Sequence, residues 1–311
     1  MSGDLNICVV GAGAIGGWIA ARLALSGRTV MALASAGPLE SIEVSENGED
    51  QAASLATFDG PADVLIIAVK ATALAAAAQG ARAFVGPDTT IVPMLNGVPW
   101  WFVDGMALAS VDPEGTIARA LPVEQVVGCV VHASCSRTGA GKVIVNHADK
   151  LILGEPQGGF GERVARLGSL FEQAGIRCEA SDNVRRAIWY KLWGNATINP
   201  LSALVRASCD KILADPECRA WMLAGMSELA AVGASIGCPI SESGEDRMAI
   251  TARLGPFKTS MLQDVEAGRP IELEALLGAP REIARAHRIA TPALDRLYGV
   301  TRLMAESLGL G

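Results

Sequence analysis

The chain has 311 residues, of which 50% are hydrophobic and 19% charged, a balance that fits a folded protein and excludes long disorder. With 26 Lys and Arg against 33 Asp and Glu, the net charge is −7, which offers no basic footprint for nucleic acid. The apolar runs 64–69 and 71–78 fall far short of the ~20 residues of a membrane span, and the start, MSGDLNICVV, shows no export signal, so a cytoplasmic protein away from membranes is expected.

Length alone suggests two domains. Ile7–Val10 is a short apolar run that predicts a buried parallel strand. Gly11-Ala12-Gly13-Ala14-Ile15-Gly16 follows, then a helical pattern through Ile15, Ile19 and Leu23 that Gly27 ends, then a strand over Thr29–Leu33. Strand, G-x-G-x-x-G, helix and strand within some thirty residues is the order of a dinucleotide site. Gly11 permits the tight turn, Gly13 lets the backbone approach a pyrophosphate, and Gly16 lets the helix pack on the sheet. The helix N-terminus then offers N–H groups and a positive dipole end to the phosphates. The competing reading is a glycine-rich turn without a ligand. No acid ends the second strand: the region reads Ala34-Ser35-Ala36-Gly37, with Glu40 nearest. A missing acid favours NADP(H) over NAD(H), although Ser35 can hydrogen-bond either ribose.

The α/β pattern continues. Strands are predicted over Asp63–Val69, Thr90–Leu95, Gln125–Val131, Lys142–Val145, Leu151–Leu153 and Ile176–Glu179, with helices over 71–83 and 161–174. Lys70 and Asn96 each follow the carboxyl end of a predicted parallel strand, the edge where ligands sit in open α/β sheets. A Lys there could meet a phosphate, a ribose or a carboxylate, and an Asn could hydrogen-bond a ribose or a nicotinamide. A solvated Lys and an Asn-Gly turn are the plainer alternatives. Trp100-Trp101-Phe102 is conspicuous in a chain with 5% aromatics; it could wall a cleft or form a core cluster.

From about residue 183 the strand patterns stop. Ser181-Asp182-Asn183 supplies capping chemistry, and helices are predicted over 183–197, 201–206, 215–236, 243–268, 272–287 and 293–308. The expected architecture is a Rossmann-type α/β domain over 1–182 and an all-α domain over 183–311. Lys191, Asn195 and Asn199 lie four apart, so on a continuous helix they share one face within about 80°. Trp189 and Trp193 flank them, and no acid interrupts the stripe. Asn amides can hold a small oxo acid, and a partly desolvated Lys can give up a proton. Alternatively, Asn199 is only the cap of a helix starting at Pro200, with the Lys on the surface. Further on, Ser260 and Asp264 share a helix face, Gly268-Arg269-Pro270 is a break, and Glu272 opens the next helix; two ordinary helices joined by a turn would read the same. Seven scattered cysteines without C-x-x-C, and three histidines, give no metal-ligand spacing, so reduced, mostly buried thiols are expected.

Together these pieces resemble the ketopantoate reductase family, the 2-dehydropantoate 2-reductases. The resemblance spans nearly the whole chain and rests on Gly11–Gly16, Val69-Lys70, Asn96-Gly97, Lys191-x₃-Asn195-x₃-Asn199-Pro200-Leu201, and Ser260-Met-Leu-Gln-Asp264 followed by Gly268-Arg269 and Glu272. It implies NADPH-dependent reduction of a 2-oxo acid, ketopantoate, to (R)-pantoate in pantothenate biosynthesis. It implies Lys191 as general acid, with Glu272 in the catalytic set. Gly11, Ala12, Gly13, Ala14, Ile15, Gly16, Lys70, Asn96 and Glu272 would bind the cofactor. Asn96, Lys191, Asn195, Asn199 and Ser260 would bind the substrate.

Four features depart from the family pattern. Ser35 stands where an Arg often meets the 2′-phosphate. Cys209 stands roughly where some members carry a further substrate-binding Asn. Pro270-Ile-Glu-Leu-Glu274 replaces a commoner Thr-Glu-Ile-Asp type, and the Trp100-Trp101 pair is not a general mark. A same-mechanism reductase of another 2-oxo acid is therefore the runner-up. A non-catalytic NADP(H)-binding sensor is a third reading, against which Lys191 argues. A homodimer through the helical half could form, although no heptad seam marks it.

Overall fold

The computed structural model describes residues 5–310 and divides into two units. The first runs to Leu95 and resumes over Gly115–Ala187; the second comprises Asn96–Glu114 and Ile188 onward. The segment 96–114 thus groups with the helical half, although it precedes the expected boundary at 182.

The first unit contains β1 (Asn6–Val10), α1 (Ala14–Leu25), β2 (Thr29–Ala34), β3 (Gly37–Pro38), β4 (Ser41–Glu46), β5 (Glu49–Ser54), β6 (Val64–Ile67), α2 (Leu74–Ala81), β7 (Thr90–Pro93), α3 (Thr116–Ala120), β8 (Gly128–Gly139), β9 (Lys142–Gly154), α4 (Glu162–Gln173) and β10 (Cys178–Ala180). One sheet has the order β3-β2-β1-β6-β7 and is parallel except for β3. Val10 pairs with Leu33 on one side and Ile67 on the other, so the carboxyl ends of β1, β2 and β6 are level. The chain moves from β1 to β2 on one flank and returns to β6 on the other, which makes β1/β6 the topological switch point.

A second, mixed sheet runs β10-β9-β4-β5, with β8 antiparallel to β9. Helix α1 contacts β2 of the first sheet and β4, β5, β8 and β9 of the second. A helix covered on two sides must be apolar nearly all round, and residues 16–21 and Leu23 are all buried. A Cβ on Gly17 would lie 2.8 Å from Val143 Cγ2, so a small residue there permits the close approach.

Several element boundaries differ from the sequence expectations. The two short strands over 142–145 and 151–153 are one strand, β9, because the long hairpin with β8 pairs the intervening residues, with irregular register between His132 and Gly139. The strand expected at 125 starts at Gly128, and 123–125 is a 3-10 turn. The helix expected over 71–83 is α only at its centre, with 3-10 turns on both flanks.

The second unit holds α5 (Val184–Val205, which opens in the first unit), α6 (Cys209–Ala214), α7 (Pro216–Ser235), α8 (Gly244–Ala252), α9 (Ser260–Glu266), a π turn (Glu274–Gly278), α10 (Ala279–Ala286) and α11 (Pro292–Leu308). Asn183 Oδ1 accepts the Arg186 N–H at 3.0 Å, capping α5. The break expected before Pro200 is absent: α5 runs through it. Proline removes one N–H, yet packing outweighs that loss. Trp189 and Trp193 donate their indole N–H groups to Leu229 O at 3.0 Å and Met226 O at 2.7 Å of α7. A Cβ on Gly233 would lie 2.3 Å from Trp189 Nε1, so α7 has a glycine where that indole lands. The helix expected over 243–268 is two, α8 and α9, parted around Gly255 (φ +71°) and Pro256. Among the described residues, no helix is long and apolar enough to cross a membrane.

Candidate active site

In the first unit, the glycine loop leaves β1 at the switch point. Gly11 has φ +95°, and a Cβ there would lie 2.6 Å from Val69 Cγ1 and 2.9 Å from the Ala68 backbone. Gly16 is tighter, since its Cβ would lie 2.1 Å from Gly11 O. These two glycines are required by packing. Gly13 is not: its Cβ would meet only Gly11 O, at 4.0 Å. The surface over Gly13 is open, which is the cradle that a pyrophosphate needs. The loop is tied down by Gly11 and Ala12 N–H groups donated to Leu33 O at 2.9 and 3.1 Å. Helix α1 begins with no side-chain cap and no acid in its first turn, so its positive end is available to an anion. Ala14 and Ile15 open that helix. Lys70, half-buried, follows β6 on the same sheet edge, and its carbonyl accepts the Ala73 N–H at 2.9 Å. The residues present therefore fit a dinucleotide. Ser35 is exposed in the two-residue turn between β2 and β3.

In the second unit, the continuity of α5 keeps Lys191, Asn195 and Asn199 on one face. Lys191 and Asn195 are half-buried and Asn199 is buried. Lys191 Nζ donates to Asn96 Oδ1 at 3.1 Å. Ser260 is the exposed first residue of α9, directly after Thr259, whose Oγ1 accepts the Leu262 N–H at 3.2 Å. Asp264 is buried and accepts Arg269 Nε at 3.0 Å; the Arg269 N–H also bonds Asp264 O at 2.9 Å. Asp264 and the Gly268-Arg269 break thus close the end of α9. Glu272 is buried two residues before the π turn, and its carbonyl accepts the Leu276 N–H at 3.2 Å. The structure thus pairs Lys191 with Asn96 inside this unit, with Asn195 and Asn199 in line along α5. The glycine loop and Lys70 form a separate group in the first unit.

The aromatic trio is a core cluster. Trp100, Trp101 and Phe102 are at most 5% exposed, and Phe102 stacks on Trp189 with centroids 5.7 Å apart. Trp100 and Trp101 keep buried indole N–H groups without a hydrogen-bond partner among the described residues. Cys209 is fully buried at the start of α6, where burial pushes its thiol up to about 12. Sequence reasoning missed Arg247. Its guanidinium lies over the Tyr190 ring at 5.8 Å, and Nη2 would be 2.5 Å from a Cβ on Gly194. The glycine amid the Lys191–Asn199 stripe was the available signal: it marks where another side chain crosses α5.

An α/β unit with an open glycine cradle, joined to a helical unit carrying a Lys–Asn pair, defines a nicotinamide-dependent oxidoreductase. The profile for ketopantoate reductase PanE/ApbA matches residues 7–158, and that for the ketopantoate reductase PanE/ApbA C terminal matches 183–305. A 2-dehydropantoate 2-reductase of Mesorhizobium japonicum is 36% identical, covering 98% of this chain and 99% of that protein. A solved structure from Ralstonia solanacearum MolK2 shares 46% identity with a TM-score of 0.94, covering 99% of this chain and all of that one. The 2-dehydropantoate 2-reductase of Methylococcus capsulatus shares 31% identity with a TM-score of 0.83 and 99% coverage of both chains. The chain belongs to the ketopantoate reductase family, NADP-dependent oxidoreductases that reduce ketopantoate to pantoate.

Proposed function

We propose that this chain reduces ketopantoate to (R)-pantoate in pantothenate biosynthesis, with Lys191 as the general acid. The observation that carries this reading is the 3.1 Å hydrogen bond from Lys191 Nζ to Asn96 Oδ1, on a helix that also aligns Asn195 and Asn199. Gly11, Ala12, Gly13, Ala14, Ile15, Gly16, Lys70, Asn96 and Glu272 would bind NADPH. Bound NADPH supplies the hydride.

The protein's own contribution is orientation and charge. As negative charge grows on the substrate carbonyl oxygen, the Lys191 ammonium stabilises it. The Nζ–H bond then breaks as the new O–H bond forms, leaving a neutral amine that solvent reprotonates. An ammonium carries three N–H donors, and directing one to Asn96 Oδ1 restricts where the others point. Asn195 and Asn199 amides and the Ser260 hydroxyl supply neutral hydrogen bonds for the carboxylate and hydroxyl of the oxo acid. Buried Glu272 completes the catalytic set.

The buried Cys209 and the Trp100–Trp101 pair favour keeping a second substrate in view, a different 2-oxo acid reduced by the same chemistry. The test follows NADPH absorbance with ketopantoate, beside NADH and a panel of other 2-oxo acids. Turnover confined to ketopantoate with NADPH is expected. Turnover on another acid alone would replace the substrate and keep the chemistry, and no turnover on any 2-oxo acid would overturn the reading.

A further inference from the structure

Two anchors hold the segment Asn96–Glu114 within the second unit. Near its start, Val98 donates its N–H to Ala275 O at 2.8 Å. Near its end, the Glu282 carboxylate accepts the N–H groups of Ala109 and Ser110, each at 2.8 Å, and the Ser110 hydroxyl at 2.6 Å. Between Asn96 and the first anchor stands Gly97, with φ +80°. A Cβ there would lie 2.4 Å from Ala275 O and 2.8 Å from Ala275 Cβ, so only glycine lets the two backbones approach.

Ala275 belongs to the π turn Glu274–Gly278. A π turn holds one residue more than an α turn and interrupts the i→i+4 ladder, which releases a carbonyl for use outside the helix. Here that carbonyl is spent on Val98. Removing the extra residue would rotate Ala275 O by about 100° about the helix axis, away from the segment.

We infer that the π turn is a positioning device for the proton donor: Ala275 O and the Cβ-free face of Gly97 seat the chain so that Asn96 Oδ1 meets Lys191 Nζ. This rests on the reading of Lys191 as general acid. Gly97 and Ala275 act through Asn96, so both are positioning residues. Glu282 holds the far end of the same segment and supports the register more weakly.

The experiment compares Gly97→Ala, Asn96→Ala, the double variant and Lys191→Ala. It measures kcat, KM for NADPH, the solvent deuterium effect on kcat, and thermal unfolding. Gly97→Ala is expected to lower kcat about 10- to 100-fold, the scale of a misplaced catalytic group. KM for NADPH should move no further in Gly97→Ala than in Asn96→Ala, because the substitution reaches the cofactor only through Asn96. The solvent isotope effect should rise. The double variant should be no slower than the slower single variant, since both lose one interaction. If Gly97→Ala does not fold, half-buried Glu282 takes its place: Glu282→Ala should lower kcat less steeply, and Glu282→Gln should restore part of it.

A folded Gly97→Ala enzyme with native kcat and isotope effect, beside a crippled Lys191→Ala, overturns the inference alone. Where Glu282 must substitute, native kcat in Glu282→Ala overturns it. Native kcat in Lys191→Ala overturns the acid assignment and the inference with it.

Discussion

Lys191 and Asn96 are 95 positions apart in the chain and meet at 3.1 Å. The contact joins a helix chosen for its apolar packing to a turn chosen for its glycine. Lys191 sits two residues after Trp189, whose ring stacks on Phe102, and Phe102 lies six residues after Asn96. The Val98–Ala275 bond and the aromatic stack therefore both fix the segment just after Asn96, two and six residues along.

Removing the ammonium should show this directly. Lys191→Ala is expected to lower kcat by about 10²–10⁴-fold, the usual share of a general acid. Stability should fall by about 0.5–1.5 kcal/mol, because the half-buried side chain gives up its hydrogen bond to Asn96. Lys191→Arg keeps the charge but holds its proton too tightly and should stay slow. Steady-state kinetics with calorimetry on the same samples checks all three.

The glycines of the first loop should separate by role. Gly16→Ala would drive a Cβ to 2.1 Å from Gly11 O and should destabilise the fold by about 1–3 kcal/mol through overpacking. Gly13→Ala meets no protein atom closer than 4.0 Å and should unfold like the native protein. Its cost should appear in cofactor affinity, as a weakened NADPH fluorescence titration. A Gly13→Ala protein with native NADPH affinity would mean that the pyrophosphate does not lie over this residue.

Thiol reactivity should follow burial. Burial pushes the thiols of Cys8, Cys135, Cys178 and Cys209 up to about 12, with Glu46, Glu172 and Asp210 adding to the last three respectively. Cys218 is also raised, first by burial and then by its hydrogen bond with Asp215, and like Cys135 and Cys178 it is only partly covered. At neutral pH iodoacetamide should modify Cys218 first, the partly exposed Cys135 and Cys178 more slowly, and buried Cys8 and Cys209 only once denaturant is added. Mass spectrometry over time decides it, and a Cys209 rate matching Cys218 would contradict the buried start of α6.

Much of the first unit was legible because its signals are local. The Gly11–Gly16 spacing, the apolar run before it and Gly27 after it each act within a few residues, and β1, α1 and β2 lie where they were expected. The hairpin of β4 and β5 carried no comparable signal. Glu43, Asp50 and Gln51 make it polar, and it becomes sheet by pairing β4 with distant β9. Pro200 misled for a related reason: a local break is only a cost of some kcal/mol, and the indole bonds to α7 together with buried Leu192, Ala196 and Leu201 outweigh it.

The sequence by itself determined the residue types, their spacing and the periodicities, and with them the Gly11–Gly16 turn and the Lys191–Asn195–Asn199 stripe. Those follow from backbone geometry, which repeats every few residues. Only the tertiary structure decided that α5 is continuous, that 96–114 groups with the helices, and that a π turn carries the carbonyl that accepts the Val98 N–H. Each of these is a balance between a local penalty and contacts made tens of residues away, and such contacts leave no trace in local spacing.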